Sequence, residues 1–327
     1  MTSPYATDRF LDYLYQHASR GQDLESCERD RLPALCAQKK EQLAALLGLN
    51  KLQSFSMEPS LSFTRRDVHR GYSLEFYDFT FLPELTVPAY VLVPDHPNGK
   101  AILYMNGHGP GVETVLQETS QPPLCAELAR QGYLVFTAEL MGFGEVLQES
   151  NLNADHRGCI GNGYHLLLHG MTEAGLRVYE CRRLIDEMNK LHLWDALGSY
   201  GMSGGGMLNT LMFALEPRID AACIANYPNT FRDSILSMHH CLCNYYPGIL
   251  EIGEIAHLIF LGAPRPVLLS CGDHDPIFPL AGSLCCRDTL HQLYGRLGQE
   301  SQVEFELFDG GHEISTAAVY DFFARRL

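Results

Sequence analysis

From Lys100 onward, short and nearly continuous apolar runs alternate with segments long enough to be helices, and this alternation limits the possible folds more than any other feature. "KAILYM", "YLVFTAEL", "DALGSYGMS", "DAACIANYP", "PVLLSCG" and "QVEFELFD" read as strands, separated by helical segments at 122–131, 173–190, 205–215 and 282–297, with a last helix at 314–326. Strands that are apolar at almost every position are covered on both faces, and the intervening helices are the covers. The pattern predicts an α/β fold: a mostly parallel sheet with helices on both faces. Two further strands, "YSLEFYDFTF" and "PAYVLVP", precede it. Before Tyr72 the signals are helical. Residues 6–20 carry Phe10, Leu11, Leu14 and Tyr15 at helical spacing, and a second helix over 28–48 ends at Gly48 just past Leu47. We therefore expect residues 1–70 to be an N-terminal helical extension and 71–327 one catalytic-size domain. The extension would serve for packing or for contacts in a homo-oligomer. With 327 residues, 46% of them hydrophobic, the chain can bury a core of that size.

In such sheets, chemistry gathers at the carboxyl ends of the strands. Gly201-Met202-Ser203-Gly204-Gly205 follows one of them and matches G-x-S-x-G, in which a strand turns directly into a helix with serine at the apex. A glycine-rich turn with an idle serine fits the five residues alone, but the position between strand and helix favours a nucleophile. A serine needs a base, and of fourteen histidines His312 is the one set in a glycine-bearing loop ("DGGHEIS") after the last strand. An acid must orient that base. "SCGDHDPIFP" ends the preceding strand and offers Asp273 and Asp275, of which Asp275, before Pro276 and nearer the loop apex, is the better placed. The order Ser203, Asp275, His312 is that of α/β-hydrolases. The oxyanion would be held by the backbone N–H of Gly204 and, from the loop "MNGHGPG" at 105–111, by the backbone N–H of His108.

The formal charge of −15 opposes binding to phosphate backbones or anionic lipid, so no nucleic-acid or membrane partner is expected. No apolar run is long enough to span a bilayer, and "MTSPYATDRF" lacks the pattern of a secretion signal. Eleven cysteines, some as close as those in "HHCLCN" and "LCCRD", fit reduced thiols better than a disulfide framework. The location these features imply is cytoplasmic.

The segments "YMNGHGPG", "AELMGFGE", "GLRVYECRRLIDEM", "GMSGGGML", "HHCLCNYYPG" and "APRPVLLSCGDHDPIFP" with "GGHEIS" resemble the α/β-hydrolases, specifically their acetyl xylan esterase-like and dienelactone hydrolase-like branch, over residues 75–327. The resemblance implies Ser203 as nucleophile, His312 as base and, through the family's GxxDxxxP pattern at Gly272, Asp275 and Pro279, Asp275 as acid. It also implies an acyl-enzyme route, a small ester as the only partner in the reaction, short acyl groups of the acetyl type, and no cofactor or metal. The chain departs from the pattern at Asn106, where "HG" is usual, and in carrying serine where dienelactone hydrolases proper carry cysteine, which favours an ester over a dienelactone.

The segment 229–262 interrupts the alternation and is expected to be an insertion forming part of the pocket. It holds His239, His240, Cys241 and Cys243. Its cysteines are two apart, closer than in most zinc sites, and no second ligand pair follows at regular spacing, so packed thiols are the expectation there. Thioesterase or lactonase activity would use the same three side chains. A non-catalytic binding protein would usually have lost one of them. The absence of an N-terminal propeller argues against a peptidase of the oligopeptidase kind.

Overall fold

The computed structural model describes residues 6–55, 57–109, 111–116, 122–147 and 158–327. Nine strands form one sheet: β1 (Ser60–His69), β2 (Tyr72–Leu82), β3 (Leu85–Pro94), β4 (Lys100–Met105), β5 (Leu134–Ala138), β6 (Ala196–Met202), β7 (Ala221–Ala225), β8 (Val267–Gly272) and β9 (Val303–Phe308). Their order is β1-β2-β3-β5-β4-β6-β7-β8-β9. β1, β2, β3 and β5 pair antiparallel in succession, and every pairing from β5 through β4 to β9 is parallel. All six parallel strands therefore end at the same edge, with Met105, Ala138, Met202, Ala225, Gly272 and Phe308 as their last residues.

Both faces are covered, as expected from strands such as β5, β7 and β8 that are buried at every position. On one face the helices Leu124–Arg130 and Ala317–Arg326 seat Leu124, Leu128, Phe322 and Phe323 against Ile102, Val135 and Tyr200. The helices Glu173–Leu191, Gly204–Leu215, Ile255–Phe260 and Leu280–Gly295 fill the other. Among the described residues no helix is long and apolar enough to cross a membrane.

The chain before Tyr72 differs from the sequence expectation in two ways. The sheet begins at Ser60, because β1 pairs along its whole length with β2. Most of β1 is exposed and it carries Arg65, Arg66 and Asp67, so it lacks the apolar alternation that marks a half-buried strand; charges of this kind are what keep a sheet edge from pairing further. The first helix, Asp8–His17, also turns its stripe outward: Phe10, Leu11 and Leu14 are exposed, and only Tyr15 is buried, its hydroxyl donating to Glu254 Oε1 at 2.6 Å. The helix Leu32–Leu46 does pack inward through Leu32 and Leu43. It stops where Gly48 takes φ 78°, and Leu47 O there accepts from Thr172 Oγ1 at 3.1 Å, which docks the helix end on the helix that Thr172 caps.

Candidate active site

Ser203 joins β6 directly to the helix Gly204–Leu215 and has φ 58° and ψ −119°, a conformation that residues with a side chain rarely adopt. The surrounding glycines make this turn physically possible. A Cβ on Gly201 would collide with the Gly205 carbonyl, and one on Gly205 with the Met105 carbonyl at the end of β4. The serine N–H donates to Ala225 O at 2.9 Å, and its carbonyl accepts from Met207 N at 2.9 Å, so strand and helix fix it from both sides. The Gly204 N–H is the first amide of its helix, with no partner inside that helix, at the end where the helix dipole is positive.

Two and three strands away, β8 and β9 present Asp275 and His312. Asp275 is 5% exposed, and its Oδ1 accepts from the Ile277 and Phe278 N–H groups at 2.8 and 3.1 Å. Its Oδ2 lies 2.8 Å from His312 Nδ1. Phe278 stacks on the His312 ring, with centroids 5.8 Å apart and planes 18° apart, so the imidazole has a wall as well as an anchor. Asp273, the other acid the loop offered, turns elsewhere and accepts the Gly310 N–H at 3.1 Å, tying down the loop that leads to the histidine.

Asn226 links the serine to this pair, and no sequence signal pointed to it. It follows Ala225, the residue whose carbonyl holds Ser203, and itself has φ 42°. Its Nδ2 donates to Glu313 O at 2.7 Å and to Gly311 O at 3.4 Å, the residues on either side of His312. Its Oδ1 accepts from Gly272 N at 3.1 Å, at the end of β8. One amide side chain just past the end of β7 thus clamps the histidine loop and the acid strand against the strand whose last carbonyl holds the serine. Among the described residues the Ser203 hydroxyl and the His312 ring are not hydrogen-bonded to each other. Such contacts are often long without substrate and tighten on binding.

The loop after β4 lies against the serine turn. A Cβ on Gly107 would sit 3.0 Å from Met202 O and 3.7 Å from Ser203 Cβ, and the His108 ring occupies the space a Cβ on Gly204 would need. His108 meets the edge of Phe143, with centroids 5.5 Å apart, and its Nε2 is 3.1 Å from Cys243 Sγ. The segment 229–262 folds over this region as short helical turns. Ser234 Oγ donates to Ile277 O at 2.7 Å beside the acid, while Cys243 reaches the His108 loop. His240 bonds to Ser234 Oγ at 3.2 Å. Cavities of about 440 and 190 Å³ lie beneath the N-terminal helices, and neither is lined by Ser203 or His312.

No family model matches the chain. A Bacillus subtilis (strain 168) protein named "Putative hydrolase YtaP" is 26% identical over 212 residues, covering 60% of this chain and 67% of that protein. Among solved structures, "Methylesterase BT1017" superposes with a TM-score of 0.72 at 22% identity, covering 97% of this chain and 67% of that one. A Bacteroides fragilis NCTC 9343 protein, described as a "putative acetyl xylan esterase (BF1801)", also reaches 0.72, at 17% identity over 94% of this chain and 83% of that one. At these identities the structural likeness is one of fold.

Proposed function

The chain has the α/β-hydrolase fold, and we propose that it is a serine hydrolase of carboxylic esters, acting on short, acetyl-type acyl groups. The observation that carries this reading is the shared strand edge, where a strained serine at a helix N-terminus is tied through Asn226 to a histidine bonded to a buried carboxylate. The names of the similar structures, a methylesterase and an acetyl xylan esterase, support an ester with a small group on one side of the bond.

In this reading Ser203 Oγ attacks the ester carbonyl carbon while His312 Nε2 takes its proton. Asp275 accepts from Nδ1–H, which holds the ring in the tautomer that leaves Nε2 free, and it offsets the charge of the imidazolium. The N–H groups of Gly204 and His108 receive the negative charge that develops on the carbonyl oxygen. His312 then gives its proton to the departing alcohol, and water repeats the attack on the acyl-serine.

Hydrolysis of p-nitrophenyl esters from acetate to decanoate, by the wild type and by Ser203→Ala, tests the proposal. Cleavage that falls with acyl length, and a loss of at least about 10⁴-fold in kcat in the variant, is the expected result. No cleavage of any ester by either protein would overturn it and turn attention to thioesters and lactones.

A further inference from the structure

Three cysteines and a histidine side chain that this ester chemistry leaves unused meet behind the loop after β4. The ligand atoms of His108, Cys159, Cys241 and Cys243 all lie within 4.8 Å of one another. They arrive from three separate places. His108 follows β4, Cys159 opens the helix Gly158–Leu168, and Cys241 and Cys243 flank the start of the 3-10 turn Leu242–Asn244. Helix and turn are pressed together, since a Cβ on Gly163 would come within 2.7 Å of Leu242 Cδ2. Cys159 and Cys243 are buried, Cys241 is half-buried, and none of the three is in a disulfide.

The charges beneath the cluster give it a reason to exist. Arg177 is fully buried, and its Nη2 donates to Cys159 Sγ at 2.9 Å and to Glu173 Oε1 at 3.1 Å. Among the described residues, Glu173 Oε2 and both carboxyl oxygens of Glu180 are buried without a hydrogen-bond partner. Burial pushes Glu173 up to about 8 and Glu180 well above the carboxylate range, which favours their neutral forms near pH 7. A guanidinium keeps its charge when buried and needs an anion beside it. Beside Glu173, the sulfur of Cys159 on the same Nη2 is placed to be that anion once it is a thiolate. Three thiolates around a divalent ion leave one net negative charge, which Arg177 balances.

We propose that His108 Nε2 and the sulfurs of Cys159, Cys241 and Cys243 bind one zinc ion in a structural site. Ligands held tetrahedrally at zinc stand about 3.5–3.8 Å apart, so the four atoms need to close by only about 1 Å. Thiolate and imidazole donors select zinc over magnesium or calcium, and four protein ligands leave no open position for catalysis by the metal. Each thiol loses its proton on binding, and His108 binds as the neutral ring with its proton on Nδ1. The ion would fix the His108 loop against Gly204, and with it the two amides assigned to the oxyanion. The Cys241–Cys243 spacing shows only half of this site in the sequence. Its other ligands are distant Cys159 and His108, while neighbouring His240 is engaged with Ser234.

The test is the metal content of the full chain, purified without chelator or histidine tag, measured by inductively coupled plasma mass spectrometry. About one zinc per chain is expected, with most of it lost in Cys159→Ser and in Cys241→Ser and all of it kept in the control Cys285→Ser. Because a cysteine variant can misfold, the stripped wild-type chain is also titrated with cobalt. Intense visible absorption of tetrahedral cobalt together with thiolate charge-transfer bands is the predicted outcome. Only trace zinc with no such bands, zinc retained in both ligand variants, or a disulfide among Cys159, Cys241 and Cys243 in freshly purified protein would each overturn the proposal.

Discussion

The backbone of Ser203 carries the cost of the site. At φ 58° a residue with a Cβ is held by about 1–3 kcal/mol of strain that the neighbouring packing must offset. Glycine is free of that penalty. Ser203→Gly is therefore expected to be inactive yet more resistant to urea, by about 1 kcal/mol, whereas Ser203→Ala is inactive at unchanged stability. Equal stability of the two variants in urea unfolding would mean that the turn stores no strain. The same residue was the most legible in the chain. Its place between an apolar strand and a helix singled it out, and Gly201 and Gly205 stand where carbonyl oxygens leave no room for a side chain. Asp275 was preferred over Asp273 for its place before Pro276 near the loop apex, and its carboxylate is held there by N–H groups two and three residues ahead.

At the scale of elements, the sheet edge turns distant loops into one site, and the sequence was readable only where an element signals itself. Continuous apolar strands did so, and β4 to β9 lie within a few residues of where their composition puts them. β1 did not, because an edge strand with one neighbour needs no apolar face. Asn226 was hidden for a different reason: its role depends on where the loops at Gly311 and Glu313 come to rest, which nothing near it in the chain records. Its clamp makes a definite prediction. Asn226→Ala frees the histidine loop from β7 while leaving Ser203, Asp275 and His312 in place, so kcat should fall about 10²-fold with little change in KM. An effect on KM alone in steady-state kinetics would place Asn226 in substrate contact rather than in positioning.

Over the whole molecule, buried acids shape the response to pH. Glu180, Glu139 and Glu254 are all pushed above the ordinary carboxylate value of 4.5, with burial the largest cause. Glu180 faces Arg177, whose charge lowers it, and Glu139 and Glu173, whose charges raise it. An acid with its folded pKa above its unfolded one gives full stability below the unfolded value and loses it as pH rises toward the folded one. Glu216 and Glu304, held low despite burial by arginine partners, act in the opposite sense and only below about 4.5. These acids draw the urea midpoint down as pH climbs above about 4.5, while His192, His240 and His257, held low by burial, draw it up below about 6.5. The prediction is therefore read from the variant: between about pH 5 and 7 the midpoint of Glu180→Gln should fall less, or rise more, than that of the wild type, and identical pH profiles would contradict the assignment. Everything proposed for the reaction depends on one serine, at one edge of one sheet, being the nucleophile. Labelling the intact protein with a fluorophosphonate and mapping the modified peptide tests it most directly. A single adduct on Ser203, absent from His312→Ala, is the predicted result; an adduct on another residue, or none on a protein that still cleaves esters, would contradict it.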